Sequence, residues 1–236
     1  MRCVLILTLT ACATTATVSG RSPSGLHRTA ALAIRDDVPG YQQAFTAQYT
    51  VPRLEHGYDR YWYFTESRPE ERHQEFVAAL NEATRECDVV DVYLLAQNAH
   101  YIDWVAEVPS EQRRRIRLVY DTAAGGARDG FEWLAYGVQA FVGHPGANIA
   151  PLWYVEFLPR WLQSHSLVDA VEHADAKTHE LLSGPQGSTL AKMTEIVDGY
   201  PVDLDALWRG TKSRAYTQRH GGPDGAPLGL SVTPTR

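Results

Sequence analysis

The chain has 236 residues, of which 44% are hydrophobic and 21% charged, a balance typical of a globular protein rather than a disordered or fibrous one. Its formal net charge of −6 argues against a nucleic-acid-binding protein, because phosphate recognition needs a clustered excess of Lys and Arg. The dense basic run Arg113-Arg114-Arg115 adjoins an apolar segment and is typical of a solvated helix end.

The N-terminus has the layout of a secretory signal, with Arg2 before a short apolar stretch that ends in small residues. The stretch is too short to cross a bilayer, which takes about 20 apolar residues. Its end, Leu9-Thr10-Ala11-Cys12, resembles a bacterial lipobox. The resemblance implies that residues 1–11 are a signal peptide, removed on export, and that Cys12 is diacylated with palmitate-type chains and becomes the new N-terminus.

This resemblance also implies a location in the cell envelope. Ala13 follows Cys12 where the inner-membrane retention signal has an Asp, which favours an outer-membrane anchor facing the periplasm or the surface. Cys87 is then the one thiol left, and a single Cys cannot form an internal disulfide. Because Cys87 follows Phe76 and Leu80 at helical spacing, we expect it to be a core residue rather than a nucleophile.

One folded domain is expected, with a flexible segment at each end. Residues 12–29 are mainly small and polar and predict a flexible tether. Residues 210–236 contain several Gly and Pro without a regular period and predict a disordered tail. Since no internal repeat or second core stands out, the domain is expected at residues 30–209.

Within this domain, strand-like and helix-like segments alternate, which favours βαβ units and a parallel sheet. Strands are predicted at residues 61–64, 89–96, 116–120 and 138–142. Helices are predicted after Ser67, which starts a capping box, and at residues 101–114, 128–137, 152–162 and 167–176. The sequence therefore predicts an α/β fold: a small, mainly parallel sheet with helices on both faces.

The candidate site is at the carboxyl ends of the predicted strands, where loops converge and ligands bind in open parallel sheets. Loops of polar or small residues follow three of these strands, at residues 97–100, 121–126 and 143–148. The crevice is expected to be lined by Gln97, Asn98, His100, Asp121 and Thr122. We find no Walker A loop, dinucleotide fingerprint, H-E-x-x-H or paired Cys motif, so the sequence predicts no cofactor and no metal.

The order of these segments resembles the caspase-like cysteine peptidases of the gingipain and CHAT kind. The resemblance covers roughly residues 60–180 and is carried by residues 90–96, 117–125, 137–143 and 166–170. It implies a caspase-like fold with a general-base His after the first of these strands and a nucleophilic Cys after the second.

In this sequence the family's His falls on Gln97 and its Cys falls on Ala124. An amide does not titrate and a methyl group has no lone pair, so neither side chain can supply thiolate chemistry. The resemblance therefore implies a degenerate, membrane-anchored pseudoenzyme that binds a peptide or an envelope protein without catalysis. A domain that merely scaffolds an envelope complex is a related possibility.

An active peptidase or hydrolase with non-standard residues is the main alternative. His100 and Asp121 would then act as a base and its orienting carboxylate, with Thr122 as the nearby hydroxyl. His144 is a weaker candidate, expected in a turn shaped by its Gly and Pro neighbours.

Residues 118–123 also resemble the first motif of haloacid-dehalogenase-like phosphatases, where a strand-end Asp attacks phosphorus. In this reading Asp121 would be the nucleophile. That family has a second catalytic residue two positions after the Asp, and this sequence has Ala123 there.

Overall fold

In the computed structural model, residues 19–20, 28–36, 40–65, 69–96, 101–146, 150–198 and 201–218 are described. The strands of these residues form one sheet in the order β1-β3-β2-β4-β5-β6-β7. They are β1 (Ser19–Gly20), β2 (Thr29–Asp36), β3 (Arg60–Phe64), β4 (Val89–Ala96), β5 (Ile116–Asp121), β6 (Ala140–Gly143) and β7 (Arg214–Thr217). Strands β2 to β6 are parallel, and the edge strands β1 and β7 are antiparallel to their neighbours.

Helices cover both faces of this sheet. They are α1 (Gly40–Gly57), α2 (Pro69–Glu86), α3 (Tyr101–Ala106), α4 (Ser110–Arg113), α5 (Gly130–Ala135), α6 (Ala150–Leu162), α7 (Leu167–Ser183), α8 (Pro185–Asp198) and α9 (Leu204–Thr211), with a short 3-10 helix, η1 (Gly126–Asp129). Buried residues of α2, α3 and α5 pack on one face, and those of α1, α6 and α7 pack on the other. The predicted α/β class, mainly parallel sheet and helices on both faces are confirmed.

Strand β2 is the central strand that the sequence analysis missed. It lies between β3 and β4, and its Ala30, Ala31 and Leu32 are fully buried. Alanine has a low strand propensity, so the run carries little of the β-branched and aromatic signal of a strand. Its small side chains suit a position covered on both faces, because the helices on each side can pack close to the backbone.

The apolar face of α2 is confirmed by the structure. Phe76, Leu80, Ala83 and Cys87 are all completely buried. Burial raises the pKa of the Cys87 thiol. Cys87 is therefore a core residue, as expected. It is also a poor nucleophile, because a buried thiol with a raised pKa is rarely ionised.

The helix predicted over residues 101–114 is interrupted. Helix α3 ends at Ala106, and α4 begins at Ser110 after Pro109. Proline lacks an N–H and clashes with the preceding turn, so it starts the second helix instead of continuing the first. The helix predicted at residues 128–137 begins earlier, as η1 and then α5.

Both predicted flexible ends contain ordered strands. Ser19 and Gly20 pair with β3, in a segment assigned to the tether. At the other end, α9 reaches Thr211 and β7 pairs with β6, placing Tyr216 opposite Phe141. The domain boundary at residue 209 is therefore wrong, because a four-residue edge strand shows no period of its own and is stabilised by the strand beside it. Residues 219–236 lie outside the described part.

The signal-peptide and anchor predictions, including Cys12, fall on residues outside the described ranges. Within those ranges, none of the helices has the length and apolar character needed to cross a bilayer.

A buried ion pair crosses the centre of the sheet. Asp91 of β4 is completely buried and accepts hydrogen bonds from Nε and Nη2 of Arg117 at 2.9 and 2.5 Å. The Tyr58 hydroxyl and Trp161 Nε1 also donate to it, at 2.6 and 2.8 Å. Burial alone would lower the pKa of Arg117, but the charge and hydrogen bonds of Asp91, together with the neighbouring Tyr58 and Tyr93, raise it.

The strand order fixes where a ligand site would be. Taken in chain order, the five parallel strands lie 2-1-3-4-5, which is a doubly wound arrangement with its switch point between β2 and β4. From β2 the chain passes to α1 on one face, and from β4 it passes to α3 on the other. Because these connections diverge, a crevice is expected at the carboxyl ends of β2 and β4.

Candidate functional site

The candidate site is the carboxyl edge of the sheet, formed by the ends of β2, β4, β5 and β6. Gln97, Asn98 and His100 lie in the segment after β4, outside the described residues. Whether Gln97 faces Ala124 across the strand ends therefore stays a prediction. The residues after β5 and β6 are described.

Ala124 lies in a tight turn after β5 and is exposed to solvent. The turn begins where Asp121 Oδ1 accepts a hydrogen bond from the N–H of Ala123 at 2.8 Å. It continues through Gly125, whose φ of +78° is the left-handed conformation that glycine adopts without strain. It closes where the N–H of Gly126 donates to the carbonyl of Ala123 at 3.0 Å. This turn therefore presents the methyl group of Ala124 at the edge of the sheet.

Thr122 links β5 to β4. Its hydroxyl donates to the carbonyl of Leu94 at 3.0 Å and accepts from the N–H of Ala96 at 3.3 Å. The side chain is buried, with 4% of the residue exposed. A hydroxyl held in this way orders the strand ends, and it does not face a solvent-accessible substrate position.

Asp121, proposed above as an orienting carboxylate or a phosphatase nucleophile, is also buried, with 1% of the residue exposed. Burial raises the pKa of its carboxyl to about 7; the N–H of Ala123 lowers it and the charge of Asp129 raises it. A Cβ atom on Gly126 would lie 2.9 Å from its Oδ2, so only glycine leaves room for the carboxyl there. The fold therefore buries the carboxyl of Asp121 and does not expose it to a substrate.

His144, expected in a turn, directly follows β6 and lies in the core. It is fully buried, and its Nδ1 donates to the carbonyl of Thr211 at 2.6 Å, which fixes the proton on that nitrogen. Its ring also meets the edge of the Tyr120 ring, with centroids 5.8 Å apart. Burial lowers the pKa of His144 to about 4, so the ring is neutral at physiological pH. Of the residues that suggested a turn, Gly143 ends β6 and Pro145 and Gly146 follow it, while the end of α9 covers His144.

A polar cluster that the sequence analysis missed lies at the switch point. Asp36, at the end of β2, accepts a hydrogen bond from Arg72 of α2 on one carboxylate oxygen and one from the Tyr101 hydroxyl of α3 on the other. The Arg72 side chain is 5% exposed and that of Asp36 is 16% exposed. The cluster ties two helices to the strand end beside the expected crevice. Recognition of β2 as a strand would have revealed Asp36 as a strand-end carboxylate.

No protein-family model matches the chain, and no curated protein matches it. The residues at the strand ends are therefore the observations that bear on function. Among the residues that the structure describes, no group of three or more His, Cys, Asp or Glu is placed to hold a metal ion.

The described strand-end candidates divide into two kinds. Asp121, Thr122 and His144 have reactive groups but are buried and hydrogen-bonded within the fold. Ala124 is exposed but has no reactive group. Buried hydrogen bonds hold the backbone of these loops in place, so the edge of the sheet has a surface of defined shape.

Proposed function

We propose that this chain is a non-catalytic member of the caspase-like family that binds a peptide or protein partner at the carboxyl edge of its sheet. One observation carries the proposal: the exposed position after β5, where the family has its nucleophile, is occupied by Ala124. The reactive groups beside it, on Asp121 and Thr122, are buried. Loss of the nucleophile removes turnover, but it leaves the shape that recognises a ligand.

Two features of the fold support binding at this edge. The doubly wound strand order favours a ligand crevice at the ends of β2 and β4. The hydrogen bonds from Arg72 and Tyr101 to Asp36 hold α2 and α3 at that strand end. A pre-formed wall lowers the entropy lost when a ligand binds.

The proposal includes a lipid anchor at Cys12, which would place the domain in the cell envelope. The test is to express the full chain in bacteria supplied with a clickable palmitate analogue. Label incorporation that is lost with Cys12→Ser and kept with Cys87→Ala would support the anchor. Equal incorporation with and without Cys12→Ser would refute it.

The family alignment can be tested by restoring the missing pair. In a chain carrying Ala124→Cys, alkylation by iodoacetamide at position 124 is followed at pH 6.5 by peptide mass spectrometry, with and without Gln97→His. An ordinary thiol of pKa about 8.5 is about 1% ionised at that pH, and a neighbouring imidazolium should raise its reactivity at least about tenfold. Gln163→His, an exposed position at the end of α6, is the matched control. Equal rates with and without Gln97→His would refute the alignment.

Binding is tested with a random peptide library and the purified chain. Ala124→Trp should abolish peptide enrichment by filling the strand-end surface, whereas Ala78→Trp, on the exposed face of α2, should leave it unchanged. Enrichment that both variants retain would refute binding at this edge. Hydrolysis of library peptides by the wild type, lost with Thr122→Ala, would refute the non-catalytic assignment in favour of a hydrolase.

A further inference from the structure

The carboxyl of Asp121 supports the loop that follows it, which we call the strand-end loop (residues 122–126). Its Oδ1 accepts a hydrogen bond from the N–H of Ala123 at 2.8 Å, and among the described residues no other hydrogen bond to the carboxyl is seen. Its Oδ2 lies against the backbone of Gly126, where a Cβ atom would approach to 2.9 Å. The carboxyl therefore touches both ends of the loop, and with 1% of the residue exposed it is shielded from water while the loop is closed.

No described cation compensates a negative charge on Asp121. Leu94 of β4 is opposite it, and on β6 Gly143 ends the strand without a side chain. From η1, Asp129 acts on Asp121 with a charge of the same sign. Arg128 instead donates from Nε to the carbonyl of Gly125 at 3.1 Å, on the exposed side of the loop.

His144 is also unable to neutralise Asp121. It projects to the opposite face of the sheet, where its ring meets Tyr120 and its Nδ1 donates to Thr211. An ionised Asp121 would therefore be a buried carboxylate with one backbone donor, which is a costly state. Protonation removes that cost while the loop stays closed.

Two adjacent glycines next to this carboxyl give the strand-end loop the backbone freedom that a hinge needs. Gly125 is in the left-handed region with φ of +78°, and Gly126 follows it without a side chain. Beyond these glycines, the N–H of Ala127 donates to the carbonyl of His144 at 3.1 Å and holds η1 on the end of β6. Rotation at the two glycines would expose Asp121 and would displace the neighbouring Ala124 without unfolding the sheet.

We infer that Asp121 is a pH-dependent switch: protonated, it lets the strand-end loop close on the sheet, and ionised, it favours an open loop that changes the surface around Ala124. The effect on a ligand rests on the proposed function, because Ala124 belongs to the proposed binding edge. The loop movement itself does not depend on any ligand.

The direction and range of the switch follow from linkage. Burial raises the pKa of Asp121 to about 7 in the closed loop. In an open, solvated loop the carboxyl has an ordinary pKa of about 4. Opening therefore becomes about tenfold more favourable with each pH unit between about 4 and 7 and changes little above 7. The closed loop is favoured at acidic pH.

The test is amide hydrogen exchange on the full chain by NMR from pH 5 to 8, corrected for the intrinsic pH dependence of exchange. Protection of the Gly126 amide, whose hydrogen bond to the carbonyl of Ala123 closes the loop, should fall about tenfold per unit between pH 5 and 7 and then level off. The Val119 amide, inside β5, reports global opening and should not follow this change. Asp121→Asn should make the protection of the Gly126 amide independent of pH.

A second variant covers the case in which Asp121→Asn does not fold. Asp129→Asn removes the like charge and should move the levelling-off point to lower pH. Three results for the loop amide would overturn the switch: protection that does not depend on pH in the wild type, protection that still depends on pH in Asp121→Asn, or a pH dependence that the Val119 amide shares. An unchanged levelling-off point in Asp129→Asn would also overturn it. Because no ligand is present, failure of the peptide-binding experiment leaves this result intact.

Discussion

Removal of Asp91 should destabilise the fold more than most single substitutions. Asp91 is fully buried and accepts hydrogen bonds from Arg117, Tyr58 and Trp161. Asp91→Leu would leave the guanidinium of Arg117, whose side chain is 5% exposed, buried without its counter-charge. Breaking a buried pair in this way costs about 3–5 kcal/mol, a large part of the about 5–15 kcal/mol by which a domain is stable.

The partner variant and the double variant identify the cause. Arg117→Met should cost a similar amount, because it leaves the Asp91 carboxylate buried and unpaired. The double variant removes both charges, so its remaining cost is chiefly the unsatisfied N–H of Trp161, about 1–3 kcal/mol, because the Tyr58 hydroxyl keeps its hydrogen bond with the Tyr93 hydroxyl. The double variant should therefore lose at least about 2 kcal/mol less than the sum of the single variants.

The measurement is urea unfolding at pH 7, followed by far-UV circular dichroism and tryptophan fluorescence. Arg60→Met is the control, since Arg60 forms its ion pairs with Glu82 and Glu86 at the surface, where a pair contributes about 0–1 kcal/mol. Single-variant costs that add to within about 0.5 kcal/mol of the double variant would refute the coupling.

Two further substitutions test the carboxyl edge. Gly143→Ala should cost about 1–3 kcal/mol and lower the exchange protection of the Ala127 amide, because the new Cβ would lie 2.9 Å from the Ala127 nitrogen; unchanged protection would contradict this packing. His144 has a pKa lowered from 6.5 to about 4, so the stability it contributes is complete above pH 6.5 and is lost as the pH falls to 4. His144→Gln should remove this loss, about 3 kcal/mol, from urea unfolding between pH 7 and 4; parallel curves for variant and wild type would contradict it. Asp121 acts in the opposite direction over nearly the same range, so only variants separate the two groups.

The α/β class could be predicted from the sequence because β4 and β5 are continuous apolar runs separated by segments of helical period. Strand β2 could not, since its alanines carry little strand propensity and it follows a polar, small-residue segment. Strand β7 could not either, because its four residues are stabilised by pairing with β6 rather than by a pattern of their own. Local sequence predicts an element only where the element's own residues carry the pattern.

The sequence predicted where the strand-end residues lie, but it did not predict that their side chains are buried. Thr122 and Asp121 do lie at a strand end, yet both are covered, and coverage depends on how the following loop folds back at Gly126. Likewise, the lone charge of Asp91 is visible in an apolar run, but its partners Arg117 and Trp161 come from other elements. Contacts between distant segments set burial, and one-dimensional patterns do not record them.

The position of β7 also affects the order in which the chain can assemble. Strands β2, β3 and β4 follow one another in the sequence and form one continuous part of the sheet, so they can associate as soon as they leave the ribosome. Strand β7 pairs with β6 only after α6 to α9 have been synthesised, and joining such distant segments costs more loop-closure entropy. A nascent chain would therefore carry an open β6 edge until β7 has been synthesised, and that edge is where a chaperone or a second nascent chain would first associate.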